Sequence, residues 1–191
     1  MNIGFVGDCD KVDVALMAGL LLKSYHADSP VTIVADRHRH YQYFKDEVSG
    51  MAVQLEEDSH SVEGTVIYDW HSMELPRNRL DKLYAVTTYD KPSLEFACEF
   101  VKRHEVQGVV VLESDCSITP KYIRYLFPDV KTLSCFDDPR RRMDWVFDGR
   151  VSTRKLGDDF TSVIGELAQD ISGITPVDLK KMWIYLKKRS A

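Results

Sequence analysis

The segment Gly7-Asp8-Cys9-Asp10-Lys11-Val12 lies between an apolar run, Ile3–Val6, and a helix-like stretch opening Val14-Ala15-Leu16. A loop of this composition suits two kinds of chemistry. A glycine and a lysine directly after a strand suit phosphate binding, because backbone N–H groups curl around the anion and the ammonium neutralises it. Two aspartates one residue apart suit phosphoryl transfer, the first attacking phosphorus and the second moving the proton. Against tight polyphosphate binding, Asp8 and Asp10 repel the anion unless a metal intervenes, and Val12 offers that metal no oxygen. In a third reading, Asp8, Asp10 and Asp13 are solvated residues of a loop and a helix start.

Further candidates follow the other apolar runs, at Asp36, Asp69, Thr88 to Asp90 and Glu113 to Asp115. Open parallel sheets bind ligands beyond the carboxyl ends of their strands, where these residues would stand. Arg37-His38-Arg39-His40 has no carboxylate or thiol at a metal-ligand spacing and reads as a crowded helix start. Arg140, Arg141 and Arg142, after Pro139, read as a solvated basic turn, although arginine forks also suit phosphate.

Placing these residues requires parallel strands joined by helices. Strands are expected at Ile3–Val6, Val31–Ala35, Met51–Leu55, Thr65–Tyr68, Leu83–Thr87, Gly108–Leu112 and Lys131–Cys135. Helices are expected at Val14–Tyr25, Ser93–His104, Pro120–Leu126 and Phe160–Ile171, the last with Asp158 and Asp159 before it and Gly173 after it. Strands alternating with helices give an α/β, three-layer, mostly parallel sheet with helices on both faces.

The division expected is one domain over 1–173 and a C-terminal segment over 174–191. In that segment Leu179, Met182, Trp183 and Leu186 fall at i, i+3, i+4 and i+7, flanked by Lys180, Lys181, Lys187, Lys188 and Arg189. This short basic amphipathic helix suits a membrane surface or a partner protein, or equally its own domain.

Composition limits the remaining classes. The 191 residues fit one domain, and 44% hydrophobic with 29% charged residues is ordinary for a globular protein. A net charge of −5 argues against a general nucleic-acid binder. Cys9, Cys98, Cys116 and Cys135 form no CxxC pair, which suits free thiols in a reducing compartment. The amino terminus runs straight into a strand, and no apolar run is long enough to span a bilayer, so the expected location is cytoplasmic.

The first loop resembles the deviant Walker loop of the ParA/MinD-type (SIMIBI class) P-loop ATPase family, with the register fixed by Val14-Ala15-Leu16. In that register Gly7 falls on a family glycine and Lys11 on the phosphate-loop lysine. Asp8 and Asp10 stand where glycines belong, Val12 where the magnesium-binding hydroxyl belongs, and Val6 in place of the signature lysine. Thr65-Val66-Ile67-Tyr68-Asp69-Trp70 is similar to the Walker B strand, and Val31-Thr32-Ile33-Val34-Ala35-Asp36 to the strand carrying a switch aspartate. Leu83 to Asp90 with Pro92-Ser93-Leu94 resembles the strand and helix opening that follow. Ser134-Cys135-Phe136-Asp137-Asp138-Pro139, then Phe147-Asp148-Gly149 and a helix through Leu167-Ala168, resemble the family's last strand, its Asp-Pro turn, a short helix ending in Gly, and its final helix. Glu113 stands where the family has an adenine-contacting asparagine.

The resemblance implies a P-loop NTPase fold and a homodimer meeting across the nucleotide face. With the departures at Asp8, Asp10, Val12 and Glu113, it implies a noncatalytic or severely impaired ATPase homologue that positions or regulates other components or acts as a scaffold, with no cofactor. The alternative is a functional switch binding ATP and Mg atypically, with Lys11, Asp36 and Asp69 acting on phosphates and Asp69 approaching the metal. MinD-like proteins also carry a basic amphipathic tail, which implies a peripheral site at the inner face of the membrane. Asp8-Cys9-Asp10-Lys11-Val12 resembles in addition the opening of haloacid-dehalogenase-type phosphatases. Thr87 or Thr88, Lys121 and Asp137-Asp138 would then be the remaining motifs, but that family places a loop-and-hairpin flap directly after the aspartates, where Val14 onward reads as an immediate helix.

Overall fold

A computed structural model describes residues 1–26, 29–44, 46–56 and 63–189. Its centre is an eight-stranded sheet ordered β3-β4-β2-β5-β1-β6-β7-β8. The strands are β1 (Asn2–Val6), β2 (Val31–Ala35), β3 (Glu47–Val48), β4 (Met51–Leu55), β5 (Thr65–Trp70), β6 (Lys82–Thr88), β7 (Gly108–Glu113) and β8 (Thr132–Phe136). All neighbours pair in parallel except β3 with β4, a short hairpin that the sequence pattern did not predict.

Residues of period two send alternate side chains to opposite faces. Ile3, Phe5, Ile33, Ile67, Val86, Val110 and Leu112 join one core, and Val6, Val34, Val66, Tyr68, Ala85, Val109 and Val111 join the other. The first core is covered by α1 (Val12–Tyr25), α4 (Pro139–Asp148), α5 (Asp158–Ser172) and α6 (Pro176–Arg189), the second by α2 (Lys91–Arg103) and α3 (Pro120–Leu126). The expected three layers are present.

Helix α1 is buried almost all round, from Val12 to Leu22, because it lies between the sheet and the helices α4, α5 and α6. Local chemistry sets the other helix ends. Thr119 caps α3 through the Tyr122 N–H, and Asp138 caps α4 through the Arg140 N–H. Gly149 and Gly173 end α4 and α5 in the left-handed region, at φ 64° and 70°.

The segment after Gly173 is packed into the first core. Met182 and Leu186 are buried in it, and Leu179 and Trp183 pack against it. A Cβ added at Gly165 of α5 would stand 2.9 Å from Leu179 Cδ2, so that glycine lets the two helices approach. Of the three surfaces open to this apolar stripe, its own domain covers it here, while Lys180, Lys181, Lys187 and Lys188 face outward. Ser190 and Ala191, the end of that segment, lie outside the described residues. No helix among the described residues is long and apolar enough to cross a membrane.

Candidate functional site

The sequence order β1, α1, β2 moves one way across the sheet, and β5 to β6 steps over β1 to the other side. The loop after β1 therefore sits where the direction of winding reverses, the usual ligand position in an open α/β sheet. Gly7 is fixed there by close approach: its N–H donates to Trp70 O at 2.9 Å, and an added Cβ would stand 1.9 Å from the carbonyl oxygen of Val86 in β6. Gly7→Ala is therefore expected to lose about 1–3 kcal/mol or more of stability by overpacking, read as a lower urea midpoint.

Lys11 is the last residue before α1 and is fully buried. Its ammonium lies 2.9 Å from Asp69 Oδ1 and donates to the carbonyls of Gly7 at 2.9 Å and Cys9 at 3.5 Å. Asp69 belongs to β5, which continues to Trp70 and so runs past the predicted end at Tyr68. Its other oxygen accepts from Tyr41 Oη at 2.7 Å. Burial and the neighbouring Asp69 push the Tyr41 hydroxyl well above its ordinary pKa, which keeps it a donor.

Asp36, at the end of β2, accepts from the His71 backbone N–H at 2.8 Å and pairs with His71 Nδ1 at 2.8 Å. Burial opposes ionisation of Asp36, but these bonds from His71 hold its pKa below the ordinary carboxylate value. The other ring nitrogen, His71 Nε2, reaches Cys9 O at 3.2 Å. Two groups thus grip the loop carbonyls from beneath, the Lys11 ammonium and the His71 ring.

The three aspartates differ from solvated loop residues to different degrees. Asp8 is exposed and lies 3.5 Å from Arg37. Asp10 pairs with His40 Nε2 at 2.8 Å and with Arg142 Nε at 3.3 Å. Asp13 is fully buried. Its Oδ2 accepts from Arg141 at 3.1 and 2.9 Å and from Arg142 Nη1 at 3.4 Å, and its Oδ1 from the Val14 N–H at 3.1 Å. Burial pushes the Asp13 carboxyl upward in pKa, and the guanidiniums of Arg142 and Arg141 pull against that shift.

The expectation of a solvated basic turn at Arg140 to Arg142 therefore holds only for Arg140, which stays exposed on its bidentate partner Asp138. Arg141 and Arg142 are 8% and 7% exposed, because α4 turns them under the sheet toward α1. Arg141 also stacks 4.0 Å above the Phe160 ring and donates to Phe136 O at 3.2 Å, and Arg142 pairs with Asp137 at 2.7 Å. A sequence signal for this exists: Arg141, Arg142 and Trp145 fall on one helical face, and that face is the buried one.

The remaining side chains of the loop face inward. Val12 is 3% exposed and Cys9 6%, both within the first core, and the Cys9 thiol donates to Val86 O at 3.5 Å. Burial pushes the Cys9 thiol to about 12, far from a reactive thiolate. At the end of β7, Glu113 accepts from Tyr89, whose own pKa rises to about 12 through burial and that carboxylate.

The immediate helix read after the aspartates is present, since α1 starts at Val12, which leaves no room for the flap of a phosphatase. Its other candidates are engaged elsewhere or stand apart. Thr87 bonds to Ser93 Oγ at 3.1 Å, Thr88 bonds to Asp90, Asp137 pairs with Arg142, and Lys121 is exposed on α3.

No protein-family profile matches the sequence, and no curated protein matches it at a significant level. Solved structures do match in fold. MinD, a cell division protein of Aquifex aeolicus, superposes with a TM-score of 0.60 at 9% identity, over 91% of this chain and 98% of that one. The MinC:MinD cell division protein complex of the same organism gives 0.59 at 11% identity, over 91% and 96%. Apo McdA from Cyanthece gives 0.50 at 12% identity, over 100% and 99%. Parallel sheet, strand-to-helix loop at the winding reversal and helices on both faces are those of these proteins, and the chain has the fold of the ParA/MinD-type P-loop ATPases.

Proposed function

We propose that this chain is a ParA/MinD-like positioning or regulatory protein that works as a scaffold without hydrolysing ATP, its phosphate loop being held by its own side chains. The observation that carries this reading is the Lys11–Asp69 ion pair at 2.9 Å with both side chains buried. A phosphate would have to displace a carboxylate and two loop carbonyls to meet the Lys11 ammonium.

The residues present do not fit ATP and Mg. Val12 has neither an oxygen for the metal nor a side chain outside the core. Asp10 and Asp13 place carboxylates at the loop and helix start, and the basic side chains nearest them, His40, Arg141 and Arg142, are already paired. Glu113 sets a further carboxylate at the end of β7, where the resemblance places the adenine contact. In this reading the chain carries no cofactor, and its role is binding.

The partner would be a protein, as it is for MinD in the MinC:MinD complex, and a second copy of this chain would meet it across the loop face, as the resemblance implies. The location would be the cytoplasm or the inner membrane face. Calorimetric titration of the full chain with Mg·ATP tests the central point. The expected result is no saturable heat at millimolar nucleotide. Saturable binding overturns the reading in favour of a nucleotide switch, which the meeting of Lys11 with Asp69 and the position of Asp36 behind them would then serve.

A further inference from the structure

The opposite end of the sheet carries a cavity of about 570 Å³, within the range of small-molecule sites. Four separate parts of the chain form it. Lys23 comes from the last turn of α1, Ser49 from the turn between β3 and β4, Arg150 and Ser152 from the segment after α4, and Tyr185 and Arg189 from α6. Among the described residues, lysine and arginine supply its only charges and no carboxylate lines it, although the chain as a whole carries −5. None of the three cations forms an ion pair among the described residues.

The walls are fastened before any ligand arrives. Lys23 donates to Ser49 O at 3.3 Å and to Gly50 O, holding a turn whose two residues are both left-handed, at φ 52° and 77°. Ser49 Oγ in turn accepts from the Val151 N–H at 2.9 Å, which ties that turn to the segment carrying Arg150. Arg189 donates to Tyr185 Oη at 2.8 Å and lies over the Tyr185 ring. Such anchoring lowers the ordering cost of binding.

We propose that this cavity binds a phosphate ester, with Arg150 and Arg189 as forked donors to its oxygens and Lys23 as a third cation. Two guanidiniums match the tetrahedral oxygens of phosphate in paired hydrogen bonds, and the Ser152 and Tyr185 hydroxyls supply neutral donors beside them. The volume exceeds that of a bare ion and leaves room for an organic group against Leu20 and Leu186. The same chemistry is offered by a soluble phosphate ester and by a phospholipid headgroup. The site is separate from the loop after β1, so it stands whether or not that loop binds nucleotide.

The test titrates the full chain with glycerol 1-phosphate by calorimetry, and measures its cosedimentation with phosphatidylglycerol and with phosphatidylcholine vesicles. Each measurement is repeated on Arg150→Ala and Arg189→Ala. Arg150 is exposed and lies outside α6, so its removal leaves the apolar face of that helix as it is. The expected result is binding that Arg150→Ala weakens about tenfold or more, the loss of one charge-assisted bond, with a similar loss in Arg189→Ala. Binding of the soluble ester assigns a free phosphate ester as ligand. Arginine-dependent binding to phosphatidylglycerol alone assigns the headgroup. Binding of neither probe, or binding that both variants leave unchanged, overturns the site.

Discussion

Asp13→Ala is expected to cost about 3–5 kcal/mol of folding stability, the range for removing one partner of a buried ion pair. The variant leaves the Arg141 and Arg142 guanidiniums, both under a tenth exposed, facing a void where their shared carboxylate stood. Arg142 keeps Asp137, but Arg141 keeps only the Phe136 carbonyl and the Phe160 ring. Against a total of about 5–15 kcal/mol for a typical domain, roughly a fifth or more of the stability goes. The contrasting variant is Asp8→Ala, which breaks a pair with Arg37 in which both side chains are over 40% exposed. That pair is expected to contribute less than about 1 kcal/mol. Urea melts of the two variants side by side check the prediction, and equal midpoints would mean that Asp13 is as solvated as Asp8.

Lys11→Met is expected to lower stability by about the same 3–5 kcal/mol, because Asp69 is then buried with the Tyr41 hydroxyl at 2.7 Å and His71 Nε2 at 3.9 Å as its nearest side-chain partners among the described residues. Gly7 O also loses its ammonium donor, while Cys9 O retains His71. The double variant Lys11→Met/Asp69→Asn should recover most of the loss. It removes both charges, keeps an acceptor for Tyr41, and spares the protein the desolvation of two ions. A working phosphate loop adds a second loss: there Lys11→Met would also abolish saturable Mg·ATP binding. Melts and titration on the same preparations separate the two.

Much of the scaffold was legible from local pattern. Val31–Ala35, Met51–Leu55 and Pro120–Leu126 form the elements expected over those residues, since apolar runs bounded by turn residues carry their own signal. Where boundaries moved, tertiary packing moved them. Strand β5 extends through Trp70 because its ring packs edge-on against Tyr68 and its Nε1 donates to Glu74 O, so that an aspartate expected at a strand end lies inside the sheet. Helix α1 starts two residues earlier than expected, because Val12 belongs to the core.

The site was legible in its residues and not in its pairings. Lys11, Asp36 and Asp69 were all singled out from sequence, and the structure brings Lys11 to Asp69 and sets Asp36 behind His71. The partners of the acidic residues were not visible, because Asp13 meets Arg141 from 128 residues away and no short-range pattern encodes such a contact. His71 was not singled out from sequence, although it bridges Asp36 and the loop. The amphipathic stripe of α6 was visible in its spacing, but a stripe names no surface, and only the assembled core shows where it lies.

The buried pairing of Asp13 with Arg141 and Arg142 also restricts the paths by which this sequence can change. Replacing Asp13 alone leaves Arg141 with no carboxylate partner among the described residues, and replacing either arginine alone leaves Asp13 with a single guanidinium in the same dry space. Each single change within this trio thus passes through a less stable protein, and only coordinated substitutions on α1 and α4 avoid it. The arrangement behaves as a ratchet: drift at the exposed Asp8 is open, while the interior of the loop is held in its present state by mutual dependence.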